Sequence, residues 1–267
     1  MIKLNLNDAK IRYKKLGLGK KTDSCTSEQP HTVKYNRHNV AHKLNYCNGG
    51  QNEKRVGYYG VCSEDIIRYN IEEKHRVWCS NPECRCFQYY SGKISYQDII
   101  NDYPEEWPCY ESATLMNWKV SAGANKDGTP RKIKSAEEKS LCVLTTLLPK
   151  TKEEERIIIA AFIIDEVFTG DDEAEGHVTA DKDYCLELSL NEAKQLHFWD
   201  YYVNPYHPEK KAWGRGLIRY FNDEIAARML SRMVEVKSDE EGKQKAKSML
   251  DQYIKLHRGL YNNGTLI

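Results

Sequence analysis

No stretch of this 267-residue chain approaches the ~18 consecutive apolar residues that a bilayer-spanning helix needs. Its opening residues, MIKLNLNDAKIRYKK, also lack the apolar core of a secretory signal. The expectation is a cytoplasmic protein with no membrane partner. An excess of either charge is missing too. The 40 Lys and Arg stand against 39 Asp and Glu, for a net +1, so a uniformly basic nucleic-acid wrapper is excluded and only local basic patches remain. Internal repeats and low-complexity tracts are absent. Phe is scarce, at 5, whereas Tyr reaches 18. A ring with a polar tip suits clefts and interfaces as well as cores. Missing as well are a C-x-x-C knuckle, the P-C-x-x-C of zinc deaminases, a clean E-x-K nuclease pattern and an H-N-H pattern with credible ligands.

What is present is an ordinary globular composition, 40% hydrophobic and 30% charged, in a chain long enough for one or two domains. The texture changes near Tyr110. Residues 1–109 are Cys-rich and short of apolar side chains, residues 110–236 carry the strand candidates, and residues 237–267 read as a C-terminal helix and tail. A unit with so little apolar surface needs a staple, and a metal would supply one. A short strand is expected at Ile2–Leu6. Residues 21–60 show no regular pattern and read either as an irregular wrap or as a basic arm with interleaved Tyr35 and Tyr46. Ser63 is expected to cap a helix, and Tyr96–Tyr103 forms another that stops at Pro104.

Leu141–Leu148 and the apolar run Arg156–Phe168 read as strands, the second buried on both faces. Residues 169–183 read as a loop, Tyr184–Leu190 as a strand, and the NEAKQL segment as a short helix capped by Asn191. Leu217–Phe221 is a further strand candidate. Asn222 then caps a helix over Asp223–Val236. A charged break, KSDEEGKQK, precedes a last helix, Gln244–His257, with Met249, Tyr253, Ile254 and Leu256 as its apolar residues.

Nine Cys is an odd number, and in a reducing compartment clustered thiols point to metal or redox chemistry rather than disulfides. The strings GVCSED, VWCSNPECRCF and WPCYES place Cys at 62, 79, 84, 86 and 109, with 16, 4, 1 and 22 residues between them. Four thiolates satisfy a tetrahedral zinc or hold an iron–sulfur cluster. The expected ligands are Cys62, Cys79, Cys86 and Cys109, with Cys84 as a substitute and His42 and His75 as minor candidates. Structural zinc is the first expectation for the cofactor, a [4Fe–4S] cluster the alternative, and a metal-free packing of the thiols as small buried hydrophobes the third reading. Cys25, Cys47, Cys142 and Cys185 are read as unrelated to this group, the last two as core.

The second informative string is HFWDYYVNP followed by AWGRGLIRYFNDEIAARML. It gathers Trp199, Tyr201, Tyr202 and Trp213 beside a Gly-Arg-Gly. Aromatic walls with a few polar groups suit a flat base, and Arg215 and Arg219 suit phosphate. The alternative is that the rings close one end of the sheet as core. The succession of a long apolar strand, a short helix with F-W and Y, and W-G-x-G-L-x-R-Y-x-x-D-E-x-A leading into a helix resembles the PUA-like superfamily, nearest its EVE and ASCH branches, over roughly residues 107–235.

That resemblance implies an α+β fold: a small, curved, barrel-like mixed sheet with flanking helices, here preceded by the Cys-rich, metal-stapled N-terminal segment. It implies DNA or RNA as partner, with a modified or flipped base read in an aromatic pocket, and a link to restriction or phage defence beside a nuclease effector. It points to Trp118, Lys119, Trp199, Tyr202 and Trp213 as pocket residues, with Ser121 and Asn125 reading base edges. Lys34 and Arg37 join Arg215 and Arg219 as phosphate contacts. Two other classes stay open. One is an enzyme, a nuclease or an ASCH-like amidohydrolase that would need Lys119, Thr145 and Glu166 to converge. The other is a protein-interaction subunit using the last helix.

Overall fold

The computed structural model describes residues 38–125, 127–204, 207–214, 216–257, 261–262 and 265–266, and every structural statement below concerns these. Ile2–Leu6, Cys25, Lys34, Arg37 and Arg215 lie outside the described residues. The chain is mixed α+β. Six strands, β1 (Asn39–Lys43), β2 (Lys119–Ser121), β3 (Leu141–Thr146), β4 (Ile157–Phe168), β5 (His177–Glu187) and β6 (Ile218–Phe221), form one sheet in the order β2-β5-β4-β3-β1-β6. β1 runs parallel to β3, and the other pairs are antiparallel. The sheet curls into a half-barrel. Register slips between Leu144 and Thr145 and on both sides of Ile164 fit that curl, because an extra residue on one strand bends it.

β4 carries the core. Ile157 to Ile164 are all buried, and successive side chains point to opposite faces, so both faces are covered. Beyond Ile164 the strand emerges, with Asp165 and Glu166 exposed. The helices are α1 (Glu64–Arg68, continued by a π-helical turn over Tyr69–Glu73), α2 (Arg85–Tyr90), α3 (Tyr96–Asp102), α4 (Thr114–Asn117), α5 (Leu190–Ala193), α6 (Asp223–Val236) and α7 (Glu240–Leu256). The core runs through residue 110 without a break. Ile67, Ile99 and Leu115 belong to the same buried cluster as Leu144, Phe162, Met229 and Met249.

Four differences from the sequence expectation have physical causes. β1 lies inside the unassigned stretch 21–60, because its polar residues are buried with partners and leave no apolar pattern. Asn39 Oδ1 accepts from Leu141 N at 2.8 Å, and Asn39 Nδ2 donates to Asp223 Oδ1 at 2.8 Å. β5 begins at His177, within the expected loop, because its first half extends past the core and pairs there with β2 and the exposed end of β4. Ser189, not Asn191, caps α5, in a reciprocal arrangement with Glu192. The charged break is the start of α7: Asp239 accepts from Gly242 N, and Glu240 and Glu241 suit the positive end of the helix.

Candidate functional site

Two loops bring the first thiols together. Gly49 presses against Gly60, where a Cβ would lie 1.8 Å from the Gly60 carbonyl oxygen. Gly57, at φ 147, is packed on the Cys47 carbonyl in the same way. Asn48 and Ser63 then pin the loops: Ser63 N donates to Asn48 Oδ1 at 2.9 Å, and Asn48 Nδ2 donates to Ser63 Oγ at 3.0 Å. Cys84 stands at the N-terminus of α2, and its Sγ donates to the Pro108 carbonyl at 3.0 Å, which ties α2 to the segment carrying Cys109. The result is one cavity walled by Cys47, Cys62, Cys79, Cys86 and Cys109, with Glu111 among the remaining lining residues. Cys47 was expected to stand apart, and the structure corrects that. Its sequence signal was the Gly49-Gly50 pair beside it, which permits the close crossing.

Cys62, Cys79, Cys86 and Cys109 resist ionisation, while Cys84 is lowered to about 6, chiefly by its hydrogen bond with Cys86. Burial lifts Cys79 to about 12. Cys62 is raised by its hydrogen bond with Cys47 and by burial, Cys86 by its hydrogen bond with Cys84 and by burial, and Cys109 by burial and the charge of Glu111. Burial also raises Glu111, against a hydrogen bond of 2.9 Å from Asn45 Nδ2. A cation among these groups would favour their ionised forms.

A second cluster, of cations, gathers about Arg156 and Arg219, which stand over the Trp213 ring. Arg156, just before β4, is 3% exposed. Its Nε and Nη2 donate to Glu153 at 2.6 and 2.8 Å, while Nη1 is buried with no hydrogen-bond partner among the described residues. Its guanidinium stands 4.9 Å from the Trp213 centroid, and that of Arg219 stands 5.4 Å from the same ring. Lys43, at the end of β1, completes the group. Burial, followed by the charge of Arg156 and aided by Arg76 and Arg219, pushes its ammonium down to about 8. Arg76 acts on both clusters, since its charge also favours ionisation of Cys79 and Glu111. Sequence reasoning singled out Arg219 here but missed Lys43, Arg76 and Arg156, which lie far apart in the chain.

The expected base-pocket residues divide. Trp199, Tyr202 and Trp213 do come together, but as a buried packet around Phe198, with ring centroids 5.0–5.2 Å from it. Trp199 Nε1 donates to the Glu153 carbonyl at 2.6 Å and Trp213 Nε1 to that of Gly216 at 3.1 Å. Trp118 is elsewhere, edge-on to Phe162 at 6.0 Å. Ser121 is bonded to Glu175, and Asn125 is held by Thr129 and Arg131 within its own turn. Lys119 is exposed at the start of β2, and Thr145 is buried, with its hydroxyl donating to the His42 carbonyl at 3.0 Å. Lys119 and Thr145 therefore do not share a site. The register instead aligns Lys119 with Thr179 and Thr179 with Glu166 across β2, β5 and β4.

Of the minor metal candidates, His42 is buried with Nε2 2.6 Å from the Ser121 carbonyl, and His75 is exposed; neither lines the thiol cavity. A third cluster ties β1 to α6 and α7. Asp223 Oδ1 accepts from His38 Nε2 at 2.8 Å, Asn39 Nδ2 at 2.8 Å and Tyr253 Oη at 2.6 Å, with His257 Nδ1 at 3.8 Å. Burial works against the Asp223 charge, but the bonds from His38, Tyr253 and Asn39 win and hold its carboxyl far below the usual range. Three donors converge on its Oδ1 and tie β1 to α6 and α7, and His38, Asp223 and His257 also offer ligand atoms within 4.8 Å of one another. No helix among the described residues is long and apolar enough to cross a membrane.

Compared with family models, curated proteins and solved structures, the chain has no significant match.

Proposed function

We propose that this chain binds nucleic acid by gripping backbone phosphate at the cationic cluster of Lys43, Arg76, Arg156 and Arg219. The observation that carries this reading is Arg156: a guanidinium nine-tenths buried, with one nitrogen unpartnered, beside an ammonium whose proton is already loosened by neighbouring cations. Gathering positive charge costs free energy, and an anion offsets that cost. The curled mixed sheet, its flanking helices and the W-G-x-G-L-x-R-Y string support a PUA-like reading and, with it, recognition of a modified base. The buried Trp199–Tyr202–Trp213 packet forms the wall of this site, so a base entering there must displace packed rings.

Equilibrium binding to labelled DNA and RNA, single- and double-stranded, with plain and modified cytosine, tests the proposal across a salt series. Binding that weakens steeply with salt is expected, and Lys43→Gln should weaken it by about tenfold, in line with loss of one well-placed phosphate contact. A preference for one modified base would extend the reading to base recognition. Absence of binding to every probe near physiological salt would sink it. One observation favours an enzyme instead, the aligned row of exposed Lys119, half-buried Thr179 and exposed Glu166. Catalysis lost in Lys119→Ala with nucleic-acid binding intact would support that second reading.

A further inference from the structure

We infer that His38, Asp223 and His257 form a site for a divalent transition ion of the zinc class, with two imidazoles and one carboxylate as its protein ligands. This stands apart from the nucleic-acid reading and from the thiol cavity, and fails or survives without either.

The fold assembles the three from distant parts of the chain. β1 pairs with β6 so that Asn39 faces Phe221, which brings His38 to the point where Asn222 and Asp223 open α6. α7 packs on α6 and ends at His257, which returns a second imidazole to the same place. Among the described residues, this is the one group of three or more His, Cys, Asp or Glu side chains whose ligand atoms all lie within 4.8 Å of one another.

Each ring turns one nitrogen on the carboxylate and has the other placed as a metal-bound imidazole requires. His257 Nε2 lies 3.0 Å from the Lys139 carbonyl oxygen, which only accepts, so Nε2 carries the hydrogen. In the neutral ring Nδ1 is then a lone pair, 3.8 Å from Asp223 Oδ1 and too far for a hydrogen bond. His38 is 6% exposed. Its Nε2 lies 2.8 Å from Asp223 Oδ1, while its Nδ1 is buried without a hydrogen-bond partner among the described residues, 4.0 Å from Glu137 Oε2. In the metal-free chain a hydrogen on Nε2 bridges to Asp223. A cation takes its place, and the ring's hydrogen then sits on Nδ1, facing the Glu137 carboxylate as in a carboxylate–histidine–metal arrangement.

The spacing suits a single ion. A cation ~2.0–2.1 Å from two ligands holds them ~2.9 Å apart at a right angle and ~3.4 Å apart at the tetrahedral angle. The two distances to Asp223 Oδ1, 2.8 and 3.8 Å, bracket those values. Asn39 Nδ2 and Tyr253 Oη donate to the same oxygen at 2.8 and 2.6 Å and so fix the carboxylate's orientation. Imidazole combined with carboxylate favours zinc and its neighbours over magnesium or calcium. Three protein ligands leave water to complete the coordination.

The test titrates the full chain, first stripped of metal, with zinc and separately with cobalt, whose spectrum reports its ligands. Expected is about one equivalent of cobalt with weak visible bands and no thiolate charge-transfer band, the mark of nitrogen and oxygen ligands. His257→Gln keeps a donor for the Lys139 carbonyl and should weaken that binding by at least about tenfold. In the wild type carrying nitrogen-15-labelled histidine, zinc should shift the ring nitrogens of His38 and His257 and leave those of exposed His75 in place. This readout needs no variant, so a misfolded mutant does not shield the idea. Saturating zinc that leaves both rings unmoved would overturn it. So would cobalt bound with thiolate bands alone, or an undiminished nitrogen–oxygen site in a folded His257→Gln chain.

Discussion

The sheet and the thiol region solve the same problem with different chemistry. In β4, eight consecutive residues are apolar and buried, and all six residues of β3 are buried beside them. In residues 44–113 the interior is a mixture. Ile67, Ile99 and Val56 share it with Asn70, Glu111, Ser112 and five cavity thiols. Apolar burial contributes about 25 cal/mol per Å² without help from solutes. Buried carboxylates and amides contribute only when something satisfies them, whereas a free thiol packs as a small hydrophobe. The contrast sets one part of a continuous core built on apolar burial against another that mixes thiols and polar groups.

The largest expected effect exploits that difference. On the expectation that the thiol cavity holds a metal, stripping it by chelation, or replacing Cys79 with Ser, should remove several kcal/mol, up to the ~10 kcal/mol seen where metal binding and folding are coupled. Hydrogen exchange localises the loss. Amides in residues 58–113 should lose protection while those of β3 and β4 stay slow. If both regions exchange at one rate after stripping, the contrast fails and the chain behaves as a single cooperative unit. The converse experiment is smaller. Phe162→Ala leaves a cavity in the sheet core, where the residue is fully buried, and should cost about 3–5 kcal/mol. Denaturant unfolding should return nearly the same cost with and without metal; a cost that depends on metal would show that the two regions share their stability.

Legibility in the sequence followed the same division. Where burial is apolar, pattern was enough: the run from Ile157 declares a strand covered on both faces, and Asn222 declares the cap of α6. Where partners are polar and distant, pattern was silent. β1 is buried, yet its Asn39 and His42 find their partners at Leu141, Asp223 and Ser121, far along the chain. The cavity thiols were largely visible from Cys spacing, because soft ligands in clusters are rare. Cys47 was not, since its link to Cys62 runs through two glycine backbones in contact. The cationic cluster was mostly hidden, because Lys43, Arg76 and Arg156 look like ordinary solvated charges until the fold brings them within reach of one another's charge.

The smallest expected effect lies at the junction of the two chemistries, where β1 meets α6 and α7. His38 is buried there against Asp223, with Glu137 at 4.0 Å, the His257 ring stacked at 5.5 Å, and Asn39 and Tyr253 sharing the carboxylate. Its hydrogen bond to Asp223 raises its pKa above 6.5, against the opposing effect of burial. A raised folded value means the folded chain holds the proton where the unfolded chain has released it. The stabilising contribution is therefore complete below 6.5 and is lost as pH rises through the higher folded value. Asp223 works in the opposite sense: its depressed carboxyl contributes above the unfolded value of 3.8 and loses that contribution as pH falls through its lower folded value. Urea midpoints measured from about pH 6 to about pH 9 should decline through the His38 window in the wild type and flatten there in His38→Gln, which retains a donor for Asp223 but does not titrate. An undiminished decline in His38→Gln would assign that slope to other groups. It would leave β1 held by neutral donors on the Asp223 carboxylate and by packing.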